Sequence, residues 1–268
     1  VGAPAQKLKS INGSFSFMQD PTTRFSDRAG NYAKYRPGYP EDMVVYLGTL
    51  FPPGAIVADV GSGTGILTRQ LLDHEYVVHA VEPNEPMRLE ADRALFRRQG
   101  FHGVNGTAEA TGLEDRSIDL ITCAQAFHWF DPENTRVEFR RILRPGGLTA
   151  LIWNERLERD SDLGREYNDL LQQMVPDYKQ LNHRRIRTEE IARFFTPGDV
   201  RLVTFRNHQE LDREGFHGRL LSSSYVPNVG QPGHNEIVEA AGRIFAKHAT
   251  GGQVTIEYET KMYLGQWN

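Results

Sequence analysis

One stretch constrains the fold more than any other: Ile56-Val57-Ala58-Asp59-Val60-Gly61-Ser62-Gly63-Thr64-Gly65-Ile66-Leu67-Thr68. A short apolar run ends around an acid, three glycines alternate with small residues, and an apolar-periodic segment begins. The pattern is that of a buried strand, a tight turn and the first turn of a helix. Glycine reaches backbone angles that other residues resist, and it lets a ligand lie against the main chain. The helix that follows aims unpaired N–H groups and a partial positive charge into the turn. A small ligand is expected there.

The same alternation continues along the chain. Pro52-Pro53-Gly54 stops a helix expected over Glu41 to Leu50, and an earlier short helix is expected between Ser26 and Pro37. After the glycine turn, Ile66, Leu67, Leu71 and Leu72 mark an amphipathic helix, and Tyr76 to Val81 a second apolar strand closed by Glu82. Asn84 caps a helix with Pro86 in its first turn and Met87, Ala91, Ala94 and Leu95 on one face. Strands follow near Gly103 to Gly106, over Ile118 to Thr122 and over Leu148 to Trp153. Between the last two, Asp131-Pro132 starts a helix whose apolar residues are Val137, Phe139 and Leu143. Strand and helix alternating in this way predict a doubly wound α/β sheet, whose ligands lie at the carboxyl ends of the strands. Glu82, Glu109, the Gln125-Ala126-Phe127-His128 stretch and Asn154 all fall at such ends.

After Asn154 the charge density rises, and residues 155–197 read as an inserted helical cap with helices near Ser161–Met174 and Thr188–Phe195. Val200 to Phe205 returns to strand character, and helices are expected over Glu214–Ser223 and Glu236–His248. Val254, Ile256, Tyr258 and Met262 alternate with polar residues, a half-buried strand best paired antiparallel. The domain reading is therefore a lead at 1–17 (tag or disordered), a cofactor core with N-terminal helices at 18–154, the cap at 155–197, and returning core strands with cap helices at 198–268. The full sheet is expected to be seven-stranded, mostly parallel, with an antiparallel last strand.

Three ligands compete for the turn. The phosphate-binding loop pattern needs a lysine after its last glycine, and Ile66 follows Gly65. The dinucleotide pattern also wants a glycine at position 66. The third candidate is a sulfonium nucleoside with an amino-acid tail. Asp59 favours it, since a carboxylate beside the turn repels a pyrophosphate yet can accept hydrogen bonds from an ammonium or a nearby water. Glu82 is placed for two ribose hydroxyls, and Ala108-Glu109 for an adenine.

Four of these segments together, Asp59-Val60-Gly61-Ser62-Gly63-Thr64-Gly65, Glu82-Pro83, Ala108-Glu109 and Arg144-Pro145-Gly146-Gly147, resemble the successive motifs of class I S-adenosylmethionine-dependent methyltransferases. Phe25-Ser26-Asp27-Arg28-Ala29, Tyr35-Arg36-Pro37-Gly38-Tyr39-Pro40 and Phe127-His128-Trp129-Phe130-Asp131 are similar to the type 11 branch that includes trans-aconitate methyltransferases. The resemblance implies a Rossmann-like methyltransferase fold and S-adenosyl-L-methionine as cofactor. It also implies a small-molecule acceptor, first of all a carboxylic acid, with a hydroxyl, amine or carbon centre as alternatives. The candidate cofactor residues are Tyr32, Arg36, Asp59, Gly61, Gly63, Gly65, Glu82, Pro83, Met87, Ala108, Glu109 and Gln125. Tyr35, Trp129 and Tyr225 are the candidate acceptor residues. His128 is either a general base or part of the wall beside the methionine arm. A cofactor-binding protein without catalysis is the reading from a different class.

A net charge of −4 over 268 residues gives no electrostatic reason to expect nucleic acid. The basic cluster His183-Arg184-Arg185 with Arg187 reads as a solvated face or as an attractor for an acidic substrate. The single cysteine, Cys123, rules out an internal disulfide framework and a cysteine-cluster metal site. The absence of a long apolar run or a secretory pattern predicts a cytoplasmic protein without membrane contact, a monomer or homodimer.

Overall fold

A computed structural model describes residues 34–175, 178, 188–223 and 225–267. Tyr32, the 1–17 lead, the basic cluster around His183 and all but the end of the helix expected between Ser26 and Pro37 lie outside the described residues; Lys34 and Tyr35 at that end are helical. The elements run α1 (Glu41–Gly48), β1 (Ile56–Val60), α2 (Ile66–Asp73), β2 (Val77–Val81), α3 (Glu85–Leu95), β3 (Phe101–Val104), β4 (Ile118–Ala124), α4 (Pro132–Ile142), β5 (Leu143–Arg156), α5 (Asp162–Met174), α6 (Thr188–Phe195), β6 (Asp199–Leu211), α7 (Arg213–Leu221), α8 (His234–His248) and β7 (Val254–Gln266).

The strands form one seven-stranded sheet in the order β3-β2-β1-β4-β5-β7-β6. The pairs β1–β2, β1–β4, β2–β3 and β4–β5 are parallel, and β7 is antiparallel to both β5 and β6. The expected fold class holds. The order reverses direction at β1 and β4, so the glycine turn after β1 opens at the topological switch point, where such sheets hold ligands.

Local chemistry explains the helix starts. Asn84 accepts the Met87 amide, Asp131 the Glu133 and Asn134 amides, and Ser161 the Gly164 amide, each at the N-terminus of a helix. Both faces of the sheet are covered. On one, Met43, Val44 and Leu47 of α1 and Leu67 and Leu71 of α2 pack with Leu120 and Ile152. On the other, Phe139 and Ile142 of α4 and Ile191, Phe194 and Phe195 of α6 pack with Ile121, Cys123 and Leu151.

Val137 was placed on the apolar face of α4, but it is 69% exposed, because the buried stripe runs through Thr135, Phe139 and Ile142. And the expected cap at 155–197 divides. Helix α5 joins α7 and α8 in a third apolar cluster over Leu211, Val254 and Ile256, whereas α6 belongs to the core sheet.

The strands that carry this third cluster are long. Strands β5, β6 and β7 have 14, 13 and 13 residues, against five each for β1 and β2. They rise past the carboxyl ends of the short strands, and β6 stays in register with β7 all the way from Asp199↔Gln266 to Leu211↔Val254. Strand β6 therefore runs well past the expected Val200–Phe205.

Candidate functional site

The turn after β1 folds onto the end of β2. The amides of Gly61 and Ser62 both donate to Val81 O, and the Gly63 amide donates to Glu82 Oε2 at 2.8 Å. The other carboxylate oxygen, Oε1, accepts the Asn84 amide at 2.8 Å. Two main-chain donors thus hold Glu82 in one orientation, and burial raises its pKa above the usual carboxylate value while the Asn84 and Gly63 amides oppose the rise.

The three glycines serve three different ends, all at positive φ. A Cβ on Gly61 would lie 2.5 Å from the Ala126 Cβ, so this glycine admits the loop after β4. A Cβ on Gly65 would lie 2.8 Å from Leu95 Cδ1, so that one admits α3 against the first turn of α2. Gly63 faces only Met87 Sδ, at 3.8 Å, and opens onto a cleft.

That cleft is walled by the carboxyl ends of β1, β2 and β4. Gly61, Gly63, Glu82, Pro83 and Met87 form one side, and Ala108 and Glu109 line it after β3. Gln125 and Trp129 close it from β4 and the short turn of helix at Phe127–Trp129. Gln125 is a non-glycine residue at φ 57; its amide donates to Ile152 O and its Nε2 to Asn154 O, which ties the cleft wall to the end of β5. Glu109 Oε1 accepts the Asp131 amide at 2.9 Å, so its carboxylate sits at the N-terminus of α4.

Five further lining residues are not among the candidate site residues: Asn84, Thr107, Ala124, Ala126 and Phe130. Asn84 and Phe130 were visible, the first as a helix cap and the second in the Phe127–Asp131 stretch. Thr107, Ala124 and Ala126 are small uncharged residues, of which only Ala126 falls in a stretch already placed at a strand end.

Other expected residues lie elsewhere. Asp59 was expected to meet the ligand, but it is 1% exposed and is not among the lining residues. Its Oδ2 accepts Thr68 Oγ1 at 2.6 Å and its Oδ1 accepts Thr122 Oγ1 at 2.9 Å, so it joins β1, α2 and β4 beneath the turn. Burial pushes its pKa up to about 6, with the two threonine hydroxyls opposing the rise. Gly65 is likewise behind the cleft. His128 is exposed, its ring 4.8 Å from that of Trp129, outside the lining.

Tyr35 and Arg36 reach the cap instead. Tyr35 OH donates to Glu214 Oε1, its ring packs on Gly218, and Arg36 Nη2 donates to Ser222 O. Tyr225 also lies there, its ring 5.4 Å from that of Tyr178. The acceptor candidates are therefore split, with Trp129 at the cleft and Tyr35 and Tyr225 at the cap.

Among the described residues, the charged ones that line the cleft, Glu82 and Glu109, are both acids. The Gly63 amide, which a phosphate would need, is already held by Glu82. A carboxylate offers about four acceptor positions, so Glu82 retains capacity beyond its two amides. The arrangement suits a ligand that presents hydroxyl donors and positive charge, and it disfavours a pyrophosphate.

Comparison with known proteins points the same way. Residues 58–151 match the family model described as a methyltransferase domain. The chain is 39% identical over 142 residues to an uncharacterized methyltransferase of Mycobacterium tuberculosis, an alignment covering 53% of this chain and 56% of that protein. It thus spans about half the length of the curated relatives that it matches. Among solved structures, a candidate type II methyltransferase from Anaeromyxobacter dehalogenans superposes with a TM-score of 0.61 at 24% identity, covering 86% of this chain and 97% of that one. Phosphoethanolamine N-methyltransferase 2 of Haemonchus contortus, in complex with S-adenosyl-L-methionine, gives 0.55 at 16%, covering 92% of this chain and 60% of that one. These structures share the fold. Every residue that lines the cleft falls within residues 58–151, the segment that matches the methyltransferase-domain model.

Proposed function

We propose that this chain is an S-adenosyl-L-methionine-dependent methyltransferase that acts on a small molecule. The observation that carries the reading is Glu82, held by the Gly63 and Asn84 amides at the tip of β2 with its remaining acceptor capacity facing the cleft. In this reading Glu82 takes the ribose hydroxyls, and Ala108 and Glu109 line the adenine. Pro83 and Met87 close the ribose side, while Gln125 and Trp129 flank the methionine arm. Asp59 acts from beneath, holding the strand end and the helix that shape the turn. The cofactor seen in the Haemonchus structure is of the chemical kind that an acid-lined, phosphate-averse cleft favours.

When bound, the cofactor supplies a methyl group on an already activated sulfonium carbon. The protein's task is then chiefly to place a nucleophile in line with that carbon and keep water away. A carboxylate acceptor needs no proton removed; an alcohol, amine or carbon acid does. We take a carboxylic acid as the first acceptor class, on the resemblance to trans-aconitate methyltransferases, with hydroxyl, amine and carbon centres next. His128, exposed beside Trp129 and outside the lining, takes no proton in this account.

Calorimetry with S-adenosyl-L-methionine and its demethylated product tests the cofactor. A screen of labelled methyl transfer over carboxylic acids, phenols, amines and carbon acids tests the acceptor. Binding of the product at micromolar or tighter affinity is expected; no detectable heat with either ligand would remove the assignment.

A further inference from the structure

The long strands β5, β6 and β7 share one continuous face whose chemistry changes along its length. In the sheet core it is apolar: Ile152 stands opposite Met262, and Met262 opposite Val203. Under the cap it is apolar again, with Leu211 opposite Val254. Between these lies a polar band. Asn154 stands opposite Thr260 and Arg156 opposite Tyr258, with Asn207 and Gln209 on β6. Alternation along a strand puts Asn154 and Arg156 on this same face.

Two guanidinium groups are buried in the band. The Arg156 side chain is 9% exposed and Arg219, from α7, is 7% exposed. Arg219 donates from Nε to Tyr258 OH and from Nη1 to Ser223 Oγ, both hydroxyls, and no carboxylate among the described residues pairs with it. Arg156 lies over the Tyr167 ring at 4.7 Å, donates to Tyr178 OH at 2.9 Å, and reaches a carboxylate, that of Glu158, only at 3.4 Å. Its Nε and the neighbouring Tyr167 OH are buried and find no hydrogen-bond partner among the described residues. Burial raises the pKa of Tyr167, and that of Tyr178 to about 12, so both phenols are neutral and balance no positive charge. A buried positive charge with mostly neutral partners is costly, and an anion relieves the cost.

The band also adjoins the cofactor cleft. Gln125, a cleft residue, donates to Asn154 O, and Arg156 stands two residues further along β5, about 7 Å at the rise of a strand. We infer that Arg156 and Arg219 form the anion-binding part of the acceptor site and that the acceptor carries a carboxylate anchored between them. This inference rests on the methyltransferase reading and names its substrate class. A carboxylate held by two guanidinium groups is a poor nucleophile, since its charge is already committed. The anchor is therefore distinct from the methylated centre, and the acceptor carries at least two functional groups: the anionic anchor and a separate nucleophile. A polycarboxylate satisfies both requirements.

The test compares carboxylates with their neutral primary amides in the full-length chain. Methyl transfer is measured on tricarballylate, glutarate and 4-hydroxyphenylacetate and on the corresponding amides, beside calorimetry with the demethylated cofactor. The expected result is an acceptor whose KM is at least about tenfold lower as the carboxylate than as the amide. Arg219→Gln should raise that KM by about tenfold or more with cofactor affinity unchanged, and Arg219→Lys should restore part of the loss. Should Arg219→Gln fail to fold, Arg156→Gln carries the same test. Equal handling of acids and amides, no transfer to any carboxylate by a wild-type protein that binds the cofactor product, or an unchanged KM in a folded arginine variant overturns the inference. Failure of the wild type to bind the cofactor product overturns the methyltransferase reading instead.

Discussion

Glu82 Oε2 accepts the Gly63 amide at 2.8 Å across the mouth of the glycine turn. A turn of this kind generally offers its amides to an anionic ligand. Here an internal carboxylate takes one of them, and the site's charge preference is reversed.

Glu82→Gln should therefore weaken cofactor binding by about tenfold or more, the scale of hydrogen bonds to a charged acceptor. Glutamine keeps the shape but turns one oxygen into a donor, which then faces the Gly63 or the Asn84 amide. The pKa of Glu82 is raised, so affinity should also fall as the pH drops through a value above the usual carboxylate one of 4.5. Calorimetry across pH 4.5–8 checks both effects, and an affinity equal to wild type at pH 7.5 would take Glu82 out of the ribose site.

The glycines of the turn should separate in a substitution series. Gly61→Ala and Gly65→Ala drive a methyl to within 3 Å of Ala126 Cβ and Leu95 Cδ1, so both should lose stability by several kcal/mol, beyond the roughly 1 kcal/mol expected from a positive φ alone. Gly63→Ala meets nothing closer than 3.8 Å, so its stability loss should be near that backbone value while its methyl occupies the cleft. Urea denaturation paired with cofactor calorimetry distinguishes these outcomes. Gly63→Ala should bind markedly less cofactor than its stability loss explains.

Much of this arrangement was legible in the sequence, for physical reasons. The apolar runs at Val57–Val60 and Val77–Val81 belong to strands of the sheet interior, the first buried on both faces and the second half-buried at Val77 and His79, and Asn84, Asp131 and Ser161 cap the helices that they announce. What could not be read was depth and distance. Asp59 adjoins the turn in sequence, yet its side chain points beneath it to Thr68 and Thr122. Strand β6 was cut short at Phe205 because its inward residues turn polar at Asn207 and Gln209 before becoming apolar again at Leu211. That interruption hid both the length of the strand and the band that holds Arg156 and Arg219. The place of α6 in the chain points to the cap, whereas Ile191, Phe194 and Phe195 attach it to the sheet.

His128 and Trp129 should behave differently despite being neighbours. Trp129 lines the cleft, and Trp129→Ala should weaken cofactor or acceptor binding. His128 is exposed at the rim, so His128→Ala should keep turnover within about tenfold of wild type. A fall of about 10²–10⁴ in turnover with cofactor affinity intact would instead identify His128 as a base. Steady-state rates on the acceptor found by the screen, measured from pH 5.5 to 8.5, decide between these roles.

Asp59 supplies a prediction that links stability to pH. Its folded pKa is about 6, against an ordinary value of 3.8, and burial is the cause. The folded state therefore holds a proton that the unfolded chain has released between those two values. The stabilising contribution of the protonated form is complete below about 3.8 and is lost as the pH rises through 6. At pH 7.5 the buried carboxylate is ionised and costs stability. Asp59→Asn keeps the shape and an acceptor for one threonine hydroxyl while removing the charge. It should raise unfolding stability at pH 7.5 by on the order of 2–3 kcal/mol, and the gain should shrink towards zero near pH 4. Taking the difference between variant and wild type cancels the other titrating groups. Because Asp59 ties Thr68 of α2 and Thr122 of β4 beneath the turn, the same variant should also hold the cofactor less tightly. Urea melts at the two pH values check the first effect and calorimetry the second; equal stability at pH 7.5 would show that the threonine hydroxyls fully offset the burial of the charge.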